Sequence, residues 1–352
     1  MKLGIIGLTG VGKTTFFNAL TQKGAGKQPS KDPNLGIVSV PDHRLDFLEQ
    51  LYNAKKVTPA TIEFMDIAGI QSGGSKGLLS FVREVDALIH VVRCFEDESN
   101  PHPQGDINPL RDIETINLEL VLSDLDIVER RIAKTTKEAK SNKSLIKELD
   151  LLNKLKPILE DGKLLKSIVG QLSSDEEHMV RGFNLLSLKP VIYVANISLD
   201  DLTNGSHHLP IVDHAKEEGS LVIDICAQIE EEISTLPPQE QGPFLEDLGI
   251  SESGLNRLIS ESYRLLGLIS YLTAGEKEVR AWTIKQGTKA PGAAGKIHSD
   301  FERGFIRAEI VGYEALNSAG NYNEAKKQGV VRLEGKDYTV KDGDVINFRF
   351  NV

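Results

Sequence analysis

The stretch GLTGVGKTT, residues 7–15, decides the fold class of this chain. It matches the pattern G-x-x-x-x-G-K-[ST], follows the apolar residues 3–6 and leads into the helix-like run TTFFNALTQ. A strand, a glycine-rich turn and a helix in this order are typical of a phosphate-binding loop. A glycine-rich turn without a ligand is the alternative, but such a turn would need neither flanking element. The stretch therefore predicts a nucleotide-binding domain with a doubly wound α/β sheet.

Each residue of this loop has an expected part in holding phosphates. Gly7, Gly10 and Gly12 let the backbone turn tightly and present N–H groups to phosphate oxygens, next to the positive end of the helix. We expect Lys13 to bridge the β- and γ-phosphates and the Thr14 hydroxyl to ligate Mg²⁺. The other loop residues predicted to contact the nucleotide are Leu8, Thr9, Val11 and Thr15.

A second motif begins at Asp66, which ends the apolar stretch TIEFMD and is followed by Gly69. The pattern D-x-x-G is common by chance, but the carboxyl end of a buried parallel strand is where ligands bind. We expect Asp66 to hold Mg²⁺ through water and Gly69 to offer its amide to the γ-phosphate. With Lys13, these two residues form the predicted catalytic set. An aspartate that only caps a turn is the alternative.

A helical hairpin is predicted to interrupt the sheet. Apolar stretches predict further strands at residues 87–95, 190–196 and 220–226, and the interruption lies between the fourth and fifth strands. Within it, apolar residues recur at alternating steps of three and four from Leu118 to Ala139, and a second leucine-rich helix follows the sequence SNKS. This heptad spacing predicts an antiparallel coiled coil.

The C-terminal segment, residues 268–352, changes character. It is rich in short strands, predicted at residues 279–284, 305–313 and 344–350 and on both sides of a turn at residues 334–336. We predict a small β-grasp-like domain there. The predicted division is therefore a nucleotide-binding domain at residues 1–110 and 186–267, a hairpin at 111–185, and this domain.

The hairpin tip, residues 130–147, is basic. It holds seven Lys or Arg and one acid, Glu138, in a chain with a formal net charge of −10. A solvated helix face explains many such runs, and contact with an RNA backbone is the other reading; both stay open. The residues predicted to contact RNA or a ribosome are Arg130, Arg131, Lys134, Lys137, Lys140 and Lys143.

The stretch VIYVANISLDD, residues 191–201, bears on the choice of base. Ras-like GTPases carry Asn-Lys-x-Asp where this chain has Asn196, Ile197, Ser198 and Leu199. Leu199 cannot accept the N1–H and N2 amine of guanine, whereas Asn196 could meet the N6 and N7 edge of adenine. We therefore predict that ATP binds better than GTP. The predicted base site consists of Asn196, Ile197, Leu199, Cys226 and Ala227.

Over nearly its whole length the chain resembles the YchF or Obg-like ATPase family. Residues 273–314 are similar to the TGS-containing segment of that family almost residue for residue, and the stretches HVVRCFED and DPNLGIVSVPDHRL are similar to its other signatures. The resemblance implies a cytosolic ATPase with a Ras-like core, an inserted helical hairpin, a C-terminal TGS domain and association with ribosomes. In that family a glutamate is common where Leu199 stands.

Two further positions bear on hydrolysis. Ser30, which we assign as a third Mg²⁺ ligand, stands where the family has a threonine in the first switch loop, and the second switch after Gly69 is shorter than usual. Ile70 occupies the place of the glutamine that orients water in Ras-like proteins, and an apolar side chain cannot do so. We therefore predict slow basal ATPase activity.

Composition favours a cytoplasmic protein. The two cysteines, Cys94 and Cys226, have no metal-type spacing, and neither a signal peptide nor an apolar run of membrane-spanning length is evident. We expect a monomer that acts as an ATP-dependent switch on the ribosome or RNA. A nucleotide-stabilised RNA-binding adaptor with negligible turnover and a small-substrate kinase remain as alternatives.

Overall fold

The computed structural model describes residues 1–22, 33–69, 76–204 and 209–351. Residue contacts divide the chain into two units, which are Met1–Gly36 with Glu63–Arg257, and Ile37–Ile62 with Leu258–Val352. The sequence-based division did not anticipate that residues 37–62 belong with the C-terminal segment. Ser30 and Ile70 lie outside the described residues.

The elements of the described residues are numbered in chain order. The strands are β1 (Lys2–Ile6), β2 (Asn34–Ser39), β3 (Val57–Thr58), β4 (Thr61–Asp66), β5 (Ala87–Arg93), β6 (Val191–Asn196), β7 (Leu221–Ile225), β8 (Leu268–Thr273), β9 (Val279–Lys285), β10 (Phe305–Gly312), β11 (Arg332–Glu334) and β12 (Asp344–Phe350). The helices are α1 (Lys13–Thr21), α2 (Arg44–Tyr52), α3 (Lys76–Glu84), α4 (Pro109–Glu138), α5 (Ile146–Glu160), α6 (Ser174–Arg181), α7 (Leu199–Asn204), α8 (Leu209–Glu218), α9 (Ala227–Thr235), α10 (Pro238–Asp247), α11 (Gly254–Leu265), α12 (Ala290–Ile297), α13 (Ser299–Arg303), α14 (Tyr313–Ala319) and α15 (Tyr322–Lys327). Short 3₁₀ helices span Lys143–Leu145, Leu165–Gln171 and Leu186–Leu188.

The first sheet has the strand order β2-β4-β1-β5-β6-β7. Strand β1 pairs in parallel with β4 and β5, and β6 pairs in parallel with β5 and β7. Every residue of β5 and β6 is buried, because parallel strands in the middle of such a sheet are covered on both faces. This arrangement confirms the predicted doubly wound sheet.

The register of these strands brings several polar residues to one edge of the sheet. Ile5 pairs with Asp66, and Arg93 pairs with Asn196, so both pairs stand at the carboxyl ends of their strands. The loop after β1 begins at the same edge. Ligands of open parallel sheets bind outside this edge, and the topology therefore positions the candidate site.

Helices α4 and α5 form the predicted hairpin. Asn108 begins α4 by accepting a hydrogen bond from Arg111 N, and Pro109 occupies the first turn, where its missing N–H costs nothing. The hairpin core includes Val121, Val128, Leu151, Leu152, Leu155 and Leu159. The predicted start of the seam was wrong, because Leu118 is 49% exposed. At that level α4 buries a different face, formed by Ile113, Ile116 and Leu120.

A buried carboxylate fastens the hairpin to the segment that precedes β6. Asp124 of α4 is fully buried and accepts hydrogen bonds from Leu186 N at 3.0 Å and from Ser187 N and Oγ, both at 2.7 Å. The guanidinium of Arg83 lies 3.2 Å from the same carboxylate. A buried charge is stable only when paired and hydrogen-bonded, and these four donors supply both conditions.

The second sheet has the order β11-β10-β12-β8-β9-β3. The pairs β8–β9, β10–β12 and β10–β11 are antiparallel, whereas β12–β8 and β3–β9 are parallel. Apolar residues of α12 and of four strands share one core that includes Tyr271, Ile284, Ala294, Ile310 and Phe348. A mixed sheet with a helix packed on it is the β-grasp-like form that the sequence predicts.

The strand pair predicted around residues 334–336 is wrong. Only β11 forms, and it pairs with β10 rather than with the residues beyond the turn. The backbone of those residues has other partners, since Tyr338 O accepts from Ala290 N and Val340 N donates to Thr288 O. These bonds tie the segment to the start of α12.

Residues 37–62 contribute α2 and β3 to the second unit. Val57 and Thr58 of β3 pair with Val279 and Arg280 of β9. Arg44, the first residue of α2, lies 2.7 Å from a carboxylate oxygen of Asp42 and 2.7 Å from one of Asp342. None of the described helices is long and apolar enough to span a membrane.

Candidate nucleotide-binding site

The loop between β1 and α1 depends on its glycines. Gly10 and Gly12 have φ angles of 77° and 88°, in the left-handed region that favours glycine. A Cβ atom on Gly12 would lie 2.4 Å from Asn196 Nδ2, and one on Gly7 would lie 2.5 Å from the carbonyl oxygen of Val91. Side chains therefore cannot be added at these positions without moving neighbouring groups.

Lys13 begins α1 and turns its ammonium back over the loop. Its Nζ donates to Gly7 O at 3.1 Å and to Leu8 O at 2.5 Å. The residue is only 8% exposed, and burial lowers the pKa of Lys13 to about 8, although Asp66 partly opposes that shift. The buried ammonium is thus held by carbonyl dipoles beside one carboxylate.

Asp66 ends β4 on the side of Lys13. Burial raises the pKa of Asp66, while the charge of Lys13 and a hydrogen bond from Asn34 lower it. Gly69, further along the same loop, lies against the phosphate-binding loop. A Cβ atom on Gly69 would lie 2.6 Å from Thr9 Cγ2 and 3.1 Å from Thr9 N. The two motifs found in the sequence are therefore adjacent in space.

Asn196 connects two loops of the site. Its Nδ2 donates to Val11 O at 2.9 Å, and its Oδ1 accepts from Ala227 N at 3.1 Å. The side chain is 4% exposed. One amide hydrogen and one oxygen lone pair remain for a ligand, because a carboxamide has two of each. The side chain of Asn196 is therefore hydrogen-bonded to the protein before any base is bound.

A cavity of about 700 Å³ lies at this edge of the sheet. Pockets for ligands of nucleotide size fall in this range of volume. The predicted site residues that line it are Gly10, Gly12, Lys13, Thr14, Thr15, Asn196, Ile197, Leu199, Cys226 and Ala227. The predicted site residues that do not line it are Gly7, Leu8, Thr9, Val11, Asp66 and Gly69. Gly7 and Leu8 accept hydrogen bonds from Lys13, Val11 accepts one from Asn196, and Gly69 lies against Thr9.

Seven further lining residues were not identified from the sequence. They are Phe95, Glu96, Asp97, Asn100, Ser198, Gln228 and Glu231. A signal for the first three existed, because they follow β5 as the loop with Gly69 follows β4, and these two strands flank β1 in the sheet. Among these described lining residues Lys13 is the one cation, and Glu96, Asp97 and Glu231 add carboxylates.

The donor set fits a magnesium ion that is shared with phosphates. Thr14 offers a hydroxyl and Asp66 a carboxylate, and Mg²⁺ prefers such oxygen ligands. In the described ranges no group of three or more His, Cys, Asp or Glu side chains could hold a metal alone. Mg²⁺ is ordinarily bound by one or two protein groups together with substrate phosphates and water, and this site offers that number.

The sequence of this chain is similar to those of known nucleotide-binding proteins. Residues 2–128 match a family model described as 50S ribosome-binding GTPase. Residues 268–351 match the C-terminal YchF-GTPase model, described as a protein of unknown function (DUF933). The chain is 51% identical to the ribosome-binding ATPase YchF of Bacillus subtilis (strain 168) over 366 residues, which cover all of both proteins. It is 46% identical to the protein of the same name from Escherichia coli O157:H7, with coverage of 100% and 99%.

Solved structures give the same result. The Schizosaccharomyces pombe YchF GTPase superposes with a TM-score of 0.89 at 34% identity, over 99% of this chain and 97% of that one. A GTP-binding protein from Pyrococcus horikoshii OT3 has a TM-score of 0.65 at 21% identity over the whole of both chains, and it shares the fold. The resemblance seen in the sequence is confirmed: the chain belongs to the YchF family.

Proposed function

We propose that this protein binds ATP with Mg²⁺, hydrolyses it slowly, and associates with the ribosome in a manner set by the bound nucleotide. The observation that carries the proposal is the pairing of a complete phosphate-binding loop with Leu199 at the base end of the same cavity. The relatives named above differ in their descriptions, since the bacterial proteins are called ATPases and the yeast protein a GTPase. The residues of this chain favour ATP.

The phosphate end supports a triphosphate ligand. The loop amides and the start of α1 supply partial positive charge, and Lys13 supplies a full charge. Its ammonium rests on Gly7 and Leu8, so it can exchange carbonyl partners for phosphate oxygens with a small movement. Asp66 would hold the metal, and Gly69, which lies against Thr9 of the loop, would meet the γ-phosphate. Lys13, Asp66 and Gly69 are therefore the proposed catalytic residues.

Thr14 and Asp66 are the proposed magnesium ligands, with Ser30 as a third. When bound, the ion neutralises charge on the phosphates during transfer to water. The protein groups orient the phosphates. The position directly after Gly69 holds Ile70, whose apolar side chain cannot orient the attacking water, and we therefore expect slow turnover.

At the base end, Leu199 is the main argument for adenine. It is 44% exposed and lines the cavity, but it has no acceptor for the N1–H and N2 amine of guanine. Leaving two donors of a ligand without partners costs affinity, whereas adenine has no donor at either position. The free amide hydrogen and lone pair of Asn196 suit the N7 and N6 groups of adenine. GTP is expected to bind more weakly.

The hairpin tip is the proposed contact with ribosomal RNA, with the C-terminal domain as a second. Three of its basic residues already have intramolecular partners: Arg130 pairs with Asp126, Arg131 with Glu148, and Lys134 with Glu138. The exposed lysines of the tip that have no carboxylate within 4.0 Å among the described residues are Lys137, Lys140, Lys143 and Lys147. These four charges are the ones available to phosphates.

We also propose that the protein is a cytoplasmic monomer.

Three measurements test the proposal: nucleotide binding, ATP turnover and sedimentation with ribosomes. Competition of ATP and GTP for the purified protein, with and without Mg²⁺, should give tighter binding of ATP that depends on the ion. Sedimentation with ribosomes should then differ between ADP and a nonhydrolysable ATP analogue. Tighter binding of GTP would reject the base assignment. Equal sedimentation in both nucleotide states, together with no turnover, would leave the adaptor, and stimulation of turnover only by small metabolites would favour the kinase.

A further inference from the structure

A buried arginine lies behind the phosphate-binding loop. Arg93 ends β5 and is 1% exposed, and it heads the largest fully buried side chains of the described residues. Its Nε donates to Phe95 O at 3.1 Å, and one terminal nitrogen donates to Gly10 O at 3.3 Å. The guanidinium carbon stands 4.6 Å from the centre of the Phe95 ring. The side chain thus joins Gly10 to a residue that lines the cavity.

The charge of Arg93 has no close counter-charge in the part of the chain that the structure describes. No carboxylate there lies within 4.0 Å of its nitrogens, whereas Arg44 and Arg83 each have one within 3.2 Å. The charge of Arg93 affects Asp97. The pKa of Asp97 is lowered mainly by the hydrogen bond from the Ser99 side chain, and Arg93 contributes to the same shift. A buried cation without a paired anion is costly. This cost implies that something offsets it in the working protein.

The contact with Gly10 fixes the direction of one loop amide. In a trans peptide the C=O of one residue and the N–H of the next point in opposite directions. Because the carbonyl of Gly10 points at Arg93, the N–H of Val11 points away from Arg93. In a loop that wraps around a phosphate the N–H groups face the ligand, so this is the orientation of the peptide that phosphate binding requires. Gly10 reaches this geometry with a φ of 77°.

We propose that Arg93 is a positioning residue for the phosphates, which holds the Gly10–Val11 peptide with its N–H toward them and gains its counter-charge from the bound nucleotide. The inference rests on the proposed nucleotide-binding function. The inference goes beyond that function, because it assigns phosphate affinity to a residue outside the loop and outside the cavity lining. A purely structural Arg93 would support the loop equally for every ligand.

The test uses the full chain with Arg93→Met, which keeps the apolar stem of the side chain and removes its charge and donors, and Arg93→Lys, which keeps the charge. Affinities for AMP, ADP and ATP are measured by competition, and thermal denaturation is followed without nucleotide. For Arg93→Met we expect ATP affinity to fall on the order of tenfold, ADP affinity less, and AMP affinity hardly at all, since Coulomb attraction grows with ligand charge. Arg93→Lys should recover most of the loss.

An equal loss for all three nucleotides, or no loss, would overturn the inference while leaving nucleotide binding intact. Absence of ATP binding by the unaltered protein would instead reject the proposed function. If Arg93→Met does not fold, Arg93→Gln takes its place, because the side-chain amide of glutamine reaches the position of Arg93 Nε and can still donate to Phe95 O without a charge. ATP affinity of Arg93→Gln equal to that of Arg93→Lys would contradict the charge assignment.

Discussion

The side chain of Asn196 touches the phosphate-binding loop where Gly12 has no side chain. Its Nδ2 donates to the carbonyl of Val11 and occupies the space that a Cβ atom on Gly12 would need, at 2.4 Å. Residues far apart in the chain therefore hold the loop and the base site in one geometry. A substitution at either residue should therefore alter the binding of both the phosphates and the base.

We expect Gly12→Ala to reduce ATP affinity by at least about tenfold, because the added methyl group displaces Asn196 and breaks its hydrogen bond. Isothermal titration calorimetry measures the change. Gly287→Ala is the matched control, since Gly287 has a φ of 86° against 88° at Gly12 but no atom within 4 Å of its Cβ position. Equal ATP binding by Gly12→Ala and the unaltered protein would contradict the geometry of this loop.

Replacing Leu199 by Asp should shift nucleotide preference toward GTP. The new carboxylate can accept the N1–H and N2 amine of guanine, and the ratio of GTP to ATP affinity should rise at least about tenfold. Leu199 is half exposed at the start of α7, where an acidic side chain suits the helix dipole, so folding should be unaffected. Leu199→Asn has the same shape without the charge and should change the ratio little. Competition binding decides, and an unchanged ratio in Leu199→Asp would refute the explanation.

Nucleotide binding should take up a proton above about pH 8. The pKa of Lys13 is lowered to about 8 without ligand, and phosphates favour the charged ammonium, so the pKa in the complex is higher. Above pH 8 the free protein has lost this proton and must regain it to bind. ATP affinity should then fall by up to about tenfold per pH unit. Calorimetry in buffers of different ionisation enthalpy measures the proton uptake. At about pH 6.5 Lys13 is already protonated in the free protein, so it should contribute no proton uptake there. Release of protons at high pH would count against this role.

Charge reversal at the hairpin tip should weaken ribosome binding. Lys140→Glu with Lys143→Glu removes two charges that are free to meet phosphates, and the salt dependence of log K should lose a slope of roughly 1.5. Lys154→Glu with Lys163→Glu is the control, with the same change in net charge at lysines that already pair with Glu176 and Asp161. Sedimentation with ribosomes over a salt series compares the two. Similar losses in both variants would mean that only overall charge matters.

The sequence predicts the local parts of this site better than its assembly. The phosphate-binding loop and the strand that ends at Asp66 were recognisable because each depends on a few consecutive residues. The bond from Asn196 to Val11 spans 185 residues and depends on how β6 pairs with β5, which a local pattern cannot reveal. Arg131 illustrates the same limit, since the sequence predicts it as a contact with RNA or the ribosome but it pairs with Glu148 across the hairpin. Such contacts arise from tertiary packing.

The fold limits how the protein can be divided into separately expressed fragments. The polypeptide passes between its two units after residues 36, 62 and 257, so no single cleavage separates them. A fragment that begins at Leu268 would lack the buried side chains of Leu45 and Leu48, and Asp342 would lose Arg44. Expression of the C-terminal half alone should therefore yield an unstable product. A stable one requires residues 37–62 to be joined to it by a linker.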